Sequence, residues 1–294
     1  MLGIWLLYGI PSVLLILFFL FLLQKKEFKY SFYRILQCDM TLNLLCYLNT
    51  WVMRLCHVEE TFRAMVWVHF HWPFLFLFTS FWAYFFYNAQ AISVIIMSAQ
   101  RLSAAKSLTA NEFWSKYYPY AYGLLLILSF IITFPVIYFE FYLPYHFDIV
   151  KETFHSREVE PVKAKIFSIF FLIQSFLYFA VILVLNIWTI ICVKKHFANI
   201  TSSARTKNMM RNLTTIAIAN TIVFFCVTLW QIFGHIVFIQ LSDATNLHII
   251  MIMSDILSLF LPYILLIFDK NVRSTLLRIA AKAAVTAVAS GSVY

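Results

Sequence analysis

Val13-Leu-Leu-Ile-Leu-Phe-Phe-Leu-Phe-Leu-Leu23 runs directly into Gln24-Lys25-Lys26-Glu27-Phe28-Lys29. A helix built from such a run has no polar face to turn to water, and the run lacks the period-two alternation of a barrel strand. Read back to Gly3, it reaches the ~20 residues that a helix rising about 1.5 Å per residue needs to cross about 30 Å of hydrocarbon. A cleaved secretory leader starts basic and ends at a small-x-small site. This run starts apolar and is followed by Lys25, Lys26 and Lys29, so it reads as an uncleaved first span with its amino end outside.

The rest of the chain repeats the pattern. Of its 294 residues, 63% are hydrophobic and 12% are charged, against roughly 45–50% and about 25% in soluble domains. That balance excludes a soluble enzyme and, from the other side, a disordered chain. Six more apolar stretches follow the first, at Ile35–Met53, Phe74–Met97, Tyr118–Phe139, Ile166–Val193, Asn212–Ile239 and Leu247–Phe268. The expected architecture is an all-α bundle of seven membrane spans over residues 1–268, with a cytoplasmic tail at 269–294.

Orientation follows from the loop cations. Sixteen Lys and Arg fall on the side that holds Lys25, Arg101, Lys194 and Lys282, and six, Arg54 among them, on the other. The rich side is expected to be cytoplasmic, with the amino terminus outside and the carboxyl terminus inside. The net charge of +9 is then a basic inner face attracted to anionic lipid, not a nucleic-acid surface. The sequons at Asn199 and Asn212 fall on the expected inner side and should carry no glycan. Residues 271–285 place Val272, Leu276, Ile279 and Ala283 on one stripe and Arg273, Arg278 and Lys282 off it, the pattern of a short amphipathic helix on the inner leaflet. Ala289 and the residues after it read as unstructured. The segment Glu140–Lys165 is expected to be ordered over the outer mouth of the bundle.

Ionisable groups at membrane depth are costly and face a bundle interior. Asp39, with Asn43 one turn deeper, and Asp255 qualify, and Asn88 lies on a stripe of helix three with Tyr84, Ala91, Ile95, Ser98 and Leu102. These groups either exchange partners between two bundle states or simply tie helices together. Arg101, at the inner end of helix three, either joins inner helix ends and meets a partner or snorkels to the interface as an anchor. With Lys194, Lys195, Arg205, Lys207 and Arg211 it forms the candidate coupling set. Pro135 and Pro262 should kink their helices, and Pro262-Tyr263 is a candidate hinge. Tyr84, Trp230 and His235 are candidate ligand contacts among outer aromatics that also serve as interface anchors.

The residues show no catalytic set: no Gly-rich phosphate loop, HExxH or GxSxG occurs. His69 and His71 stand two residues apart on different helix faces, a poor metal pair. The five Cys have no metal-ligand spacing, and only Cys56 falls in an expected outer loop, so an outer disulfide within the chain is not expected. No cofactor is expected.

Particular motifs narrow the class. Ser31-Phe-Tyr-Arg-Ile-Leu36, Asn43-Leu-Leu-Cys-Tyr-Leu-Asn-Thr-Trp51 with Arg54, Ser93-Val-Ile-Ile-Met-Ser-Ala-Gln-Arg-Leu102 and Leu261-Pro-Tyr-Ile-Leu-Leu-Ile-Phe-Asp-Lys270 resemble the second, third and seventh helix regions of nematode serpentine receptors of class gamma. Class V of the same superfamily is similar as well. The resemblance implies a G-protein-coupled type of chemoreceptor in the plasma membrane of sensory neurons, often ciliary, with a small-molecule ligand and a heterotrimeric G protein as partners. The chain departs from rhodopsin-like receptors: Arg101 follows Ala99-Gln100 instead of an acid, and Pro262-Tyr263 lacks the Asn and the two-residue spacer.

The expected function is a ligand-driven switch. A small chemical would bind between the outer halves of helices three, five, six and seven, opening an inner crevice edged by Arg101 and the Lys194–Arg211 loop. The alternatives are a transporter that uses Asp39 and Asp255, or a non-signalling accessory membrane protein.

Overall fold

The computed structural model describes residues 2–107, 109–141, 144–149, 152–156, 159–199, 214–216, 218–219, 221–227, 229 and 243–291. The chain is a helical bundle. Its elements are α1 (Leu2–Leu22), a 3-10 turn (Lys26–Phe28), α2 (Ser31–Leu55), α3 (Glu59–His71), α4 (Phe74–Lys106), α5 (Ala110–Tyr138), strands β1 (Tyr145–Asp148) and β2 (Thr153–Ser156), and α6 (Pro161–Asn199). They are followed by α7 (Thr214–Val227), α8 (Asp243–Leu259), α9 (Leu261–Phe268) and α10 (Lys270–Gly291).

α1, α5 and α6 are each long and apolar enough to cross a membrane, and the count among the described residues reaches five if the bent pairs α3–α4 and α8–α9 each make one span. α2 is 25 residues long but carries Gln37, Asp39, Asn43, Asn49 and Thr50, and that polarity keeps it out of the count. Its polar side is turned inward: Asp39 and Asn43 are buried. The sixth expected stretch lies largely outside the described residues.

Polarity is distributed inside out. Asp39, Asn43, Arg54, Asn88, Gln90, Ser93, Gln100, Arg101 and Asp255 are buried, while Leu7, Leu14, Phe21, Leu124, Ile173, Phe176 and Leu177 are exposed. Water would punish both choices; lipid removes the drive to bury apolar groups and leaves polar pairing and close packing to hold helices together. α4 is the central helix and packs against α2, α5 and α6, and α2 also meets α1 and α8. On α4 the stripe read from the sequence faces inward, with Tyr84, Asn88, Ala91 and Ser98 buried and Ile95 and Leu102 partly so. Gly9 sets the approach of α1 to α2, because a Cβ there would overlap the Tyr47 hydroxyl.

The end of the bundle with the amino terminus also carries α3 and the hairpin, and is called here the hairpin end. α3 leaves α4 at 101°. β1 and β2 are antiparallel, with Phe147 opposite Phe154. Phe154 stacks on Phe76 at 5.7 Å and meets Phe62 edge-on at 5.6 Å. The segment expected over the outer mouth thus contains a short hairpin pinned by aromatic rings to α3 and α4, and α3 is an element that the apolar runs do not mark. His57, in the turn between α2 and α3, is held below its usual range, chiefly by burial.

At the opposite, tail end, Asp269 caps α10: its Oδ1 accepts from the backbone N–H groups of Asn271 at 2.8 Å and Val272 at 3.3 Å. The Tyr33 hydroxyl donates to its other oxygen at 2.8 Å, tying the tail to α2. Val272 is buried, Leu276 and Ile279 pack on the core, and Arg273 and Arg278 are exposed, as the amphipathic reading requires. The helix runs further than the sequence suggested, taking in Ala289 and Gly291; the run Ala280–Ala289 is rich in alanine, the best helix former.

Candidate functional site

The candidate side chains stand chiefly on α2, α4 and α8, whose inward faces meet. At mid-bundle, Asp39 of α2 accepts hydrogen bonds from Ser93 Oγ of α4 at 2.6 Å and from Asn43 Nδ2, one turn along α2, at 3.0 Å. Ser93 Oγ also lies 2.9 Å from the hydroxyl of Tyr122 on α5. Asn43 Oδ1 accepts from Gln90 Nε2 at 2.8 Å, and Gln90 reaches Ser258 Oγ of α8 at 3.2 Å. Asp39, Asn43, Ser93 and Gln90 thus form one hydrogen-bond network that joins four helices, with Asp39 and Asn43 on the inward face of α2. Such bonds are worth about 0.6–2 kcal/mol each in a membrane, enough to fix helix rotation.

The second cluster lies toward the hairpin end. Asp255 of α8 forms an ion pair with Arg54 of α2 and accepts a hydrogen bond from the Tyr8 hydroxyl of α1. The Arg54 guanidinium lies 5.5, 5.1 and 5.4 Å from the rings of Trp5, Tyr47 and Trp51. Arg54 is wholly buried and Asp255 nearly so. Ring faces and a carboxylate together make a charged group tolerable where water is absent. The sequence reading placed Arg54 in an outer loop; in fact α2 continues to Leu55. The signal was present in the spacing, since Tyr47, Trp51 and Arg54 stand at i, i+4 and i+7 on one helix face.

A third cluster joins α4 to α6. Tyr178 donates to Asn88 Oδ1 at 2.9 Å, Gln174 also bonds to Asn88, and Tyr84 donates to Gln174 Oε1 at 2.6 Å. Tyr84 is therefore held in an interhelical seam. Trp230 and His235, the other candidate ligand contacts, lie outside the described residues. Asn186 of α6 stands 3.2 Å from Ser98 Oγ and 2.9 Å from Thr221 Oγ1 of α7.

At the tail end Arg101 is buried, 2% exposed, with its guanidinium 3.3 Å from the centroid of the Phe32 ring. None of its three guanidinium nitrogens has a hydrogen-bond partner among the described residues. Its guanidinium is buried against α2, where the anchor reading expects an exposed side-chain end. Lys194 and Lys195 are exposed near the end of α6; Arg205, Lys207 and Arg211 lie outside the described residues. Pro262 follows a 43° bend between Met251–Leu259 and Leu261–Phe268, while α5 continues as one helix through Pro119 and Pro135.

Beside the Arg54–Asp255 pair is a cavity of about 360 Å³ between α1 and the α8–α9 bend, lined by Tyr8, Ser12, Asp255, Ile256 and Tyr263 with neighbouring apolar groups. Ser12 and Tyr263 close one side with hydroxyls 2.8 Å apart. Among the described residues no cluster of His, Cys, Asp and Glu could hold a metal. His71 is stacked on Trp67 at 4.4 Å, and His69 is packed against Phe76.

Residues 2–276 match the model of the Srg family of chemoreceptors. The chain belongs to the Srg chemoreceptor family. It is 33% identical over 277 residues to serpentine receptor class gamma-53 of Caenorhabditis elegans, covering 93% of this chain and 90% of that one. It is 27% identical over 299 residues to serpentine receptor class gamma-47 of the same organism, covering 92% and 88%. Class gamma is therefore the family to which the motifs of α2, α4 and α9 belong. In this Srg chemoreceptor the buried polar clusters on α2, α4 and α8 lie within the matched region.

Proposed function

We propose that the protein is a chemosensory receptor of the G-protein-coupled type, with seven spans, its amino terminus outside the cell and its tail in the cytoplasm of a sensory neuron. A small chemical biases the bundle between two arrangements of its buried polar clusters, and the tail end reports the change to a heterotrimeric G protein at the plasma membrane. The observation that carries the reading is the match to a chemoreceptor family over residues 2–276, borne by a bundle whose buried polar groups link α2 to α1, α4, α5 and α8. A ligand moves such an equilibrium only through unequal affinity for the two arrangements.

Arg101 is the proposed coupling residue. A buried guanidinium that stacks on a ring and has no hydrogen-bond partner among the described residues is costly in one arrangement and can be relieved in another that offers a carboxyl or backbone oxygen. Lys194, Lys195, Arg205, Lys207 and Arg211 supply the basic rim, and Pro262-Tyr263 the hinge. The test is a chemical screen in cells that report G-protein activation, with Arg101→Ala in parallel. A ligand response lost in the variant at equal surface expression is the expected result. A full response in Arg101→Ala would remove this residue from the mechanism.

A further inference from the structure

The cavity between α1 and the α8–α9 bend is apolar except where Asp255 and three hydroxyls meet it. An ionised carboxylate offers about four acceptor positions. Among the described residues, Arg54 and Tyr8 occupy two of those of Asp255, one on each oxygen. Acceptor capacity is thus left on a buried carboxylate that lines a cavity. The group suited to it is a neutral donor. The charge of Asp255 is already balanced by Arg54, so a cationic ligand would bring an unmatched charge into an apolar space.

Access is sideways. Ile252, Ile256 and Tyr263 at the rim are 47%, 41% and 36% exposed, while the lining residues Asp255 and Leu259 are buried. In a membrane that rim faces hydrocarbon. The volume falls near the lower end of the roughly 300–1,000 Å³ range of small-molecule pockets. We propose that this cavity binds a small, mostly apolar molecule that carries one hydroxyl, enters from the lipid, and donates a hydrogen bond from that hydroxyl to an Asp255 carboxylate oxygen. Asp255 is then shared between the ligand and the ion pair that joins α2 to α8. The consequence for signalling rests on the receptor reading above; the binding itself does not.

The probe is a straight-chain primary alcohol of about eight carbons bearing a diazirine, applied to the full chain in nanodiscs, with a matched compound in which methyl replaces the hydroxyl. Labelled positions are mapped by peptide mass spectrometry. The expected result is saturable labelling of the peptides around Tyr8–Ser12 and Ile252–Tyr263, about tenfold weaker for the methyl compound because a bond to a charged acceptor is lost. Ile256→Trp, which fills the rim from the lipid-exposed face, should abolish it at unchanged melting temperature, and Ile173→Trp on the exposed face of α6 should not. Labelling spread over all lipid-facing helices, or equal for both compounds, would mean a groove for lipid tails and overturn the proposal. Saturable labelling by alcohols without a G-protein response would keep the site and count against the receptor reading. A ligand response that survives Ile256→Trp intact would keep the receptor and overturn this site as its ligand pocket.

Discussion

Asp39 with Asn43 and Arg54 with Asp255 differ in how far a sequence can reveal them. The first pair stand at i and i+4 on one helix, so their mutual hydrogen bond is written in the spacing. The second pair are separated by 201 positions, and nothing local to Arg54 names its partner. Breaking a buried ion pair by removing one member leaves a bare charge and costs about 3–5 kcal/mol, whereas replacing both members with apolar groups is often neutral. Arg54→Met should therefore lower the melting temperature in nanodiscs steeply, and Arg54→Met with Asp255→Leu should recover most of the loss. If the double variant were no more stable than the single one, the pair would not be the main partner of either residue. Gln174→Leu, which removes bonds to Asn88 and Tyr84, should cost nearer 1 kcal/mol by the same measurement, in line with interhelical hydrogen bonds in membranes.

Helix ends show what apolar run length conveys and what it omits. Long runs marked α1, α5 and α6 directly, because lipid-facing helices are apolar nearly all round. Apolar run length does not mark α3, because a 13-residue helix with charged and aromatic residues interleaved is too short and too polar to stand out. Its angle of 101° to α4 lays it along the membrane plane if α4 crosses the membrane; Trp67 and Phe70 on it, and Trp72 just after its end, are exposed. Such rings prefer the headgroup level. In a variant retaining Trp only at 67 and 72, fluorescence should be quenched by lipids brominated near the headgroup and much less by lipids brominated at the chain end; equal quenching would place α3 elsewhere. The α8–α9 bend was legible, since proline cannot continue the ladder of helix hydrogen bonds. Pro262→Ala should raise thermal stability modestly while lowering the maximal ligand response, measured together on the same preparations. An unchanged response would mean that the bend is static.

The whole molecule joins these scales through its inverted polarity: charge and amide groups inside, leucine, isoleucine and phenylalanine outside. That inversion turns the apolar count into an architecture and places the candidate sites between helices. Its direction across the membrane rests on cations; setting aside the buried Arg54 on the sparse side and the buried Arg101 on the rich side leaves five against fifteen, so the asymmetry stands. Asn199 and Asn212 should accordingly stay free of glycan when the chain is expressed in animal cells and its mass compared before and after glycosidase. The most direct test of the account is to place one epitope tag at each terminus and stain intact and permeabilised cells. The account requires the amino-terminal tag to be reached in intact cells and the carboxyl-terminal tag only after permeabilisation; both tags found on the same side would contradict it.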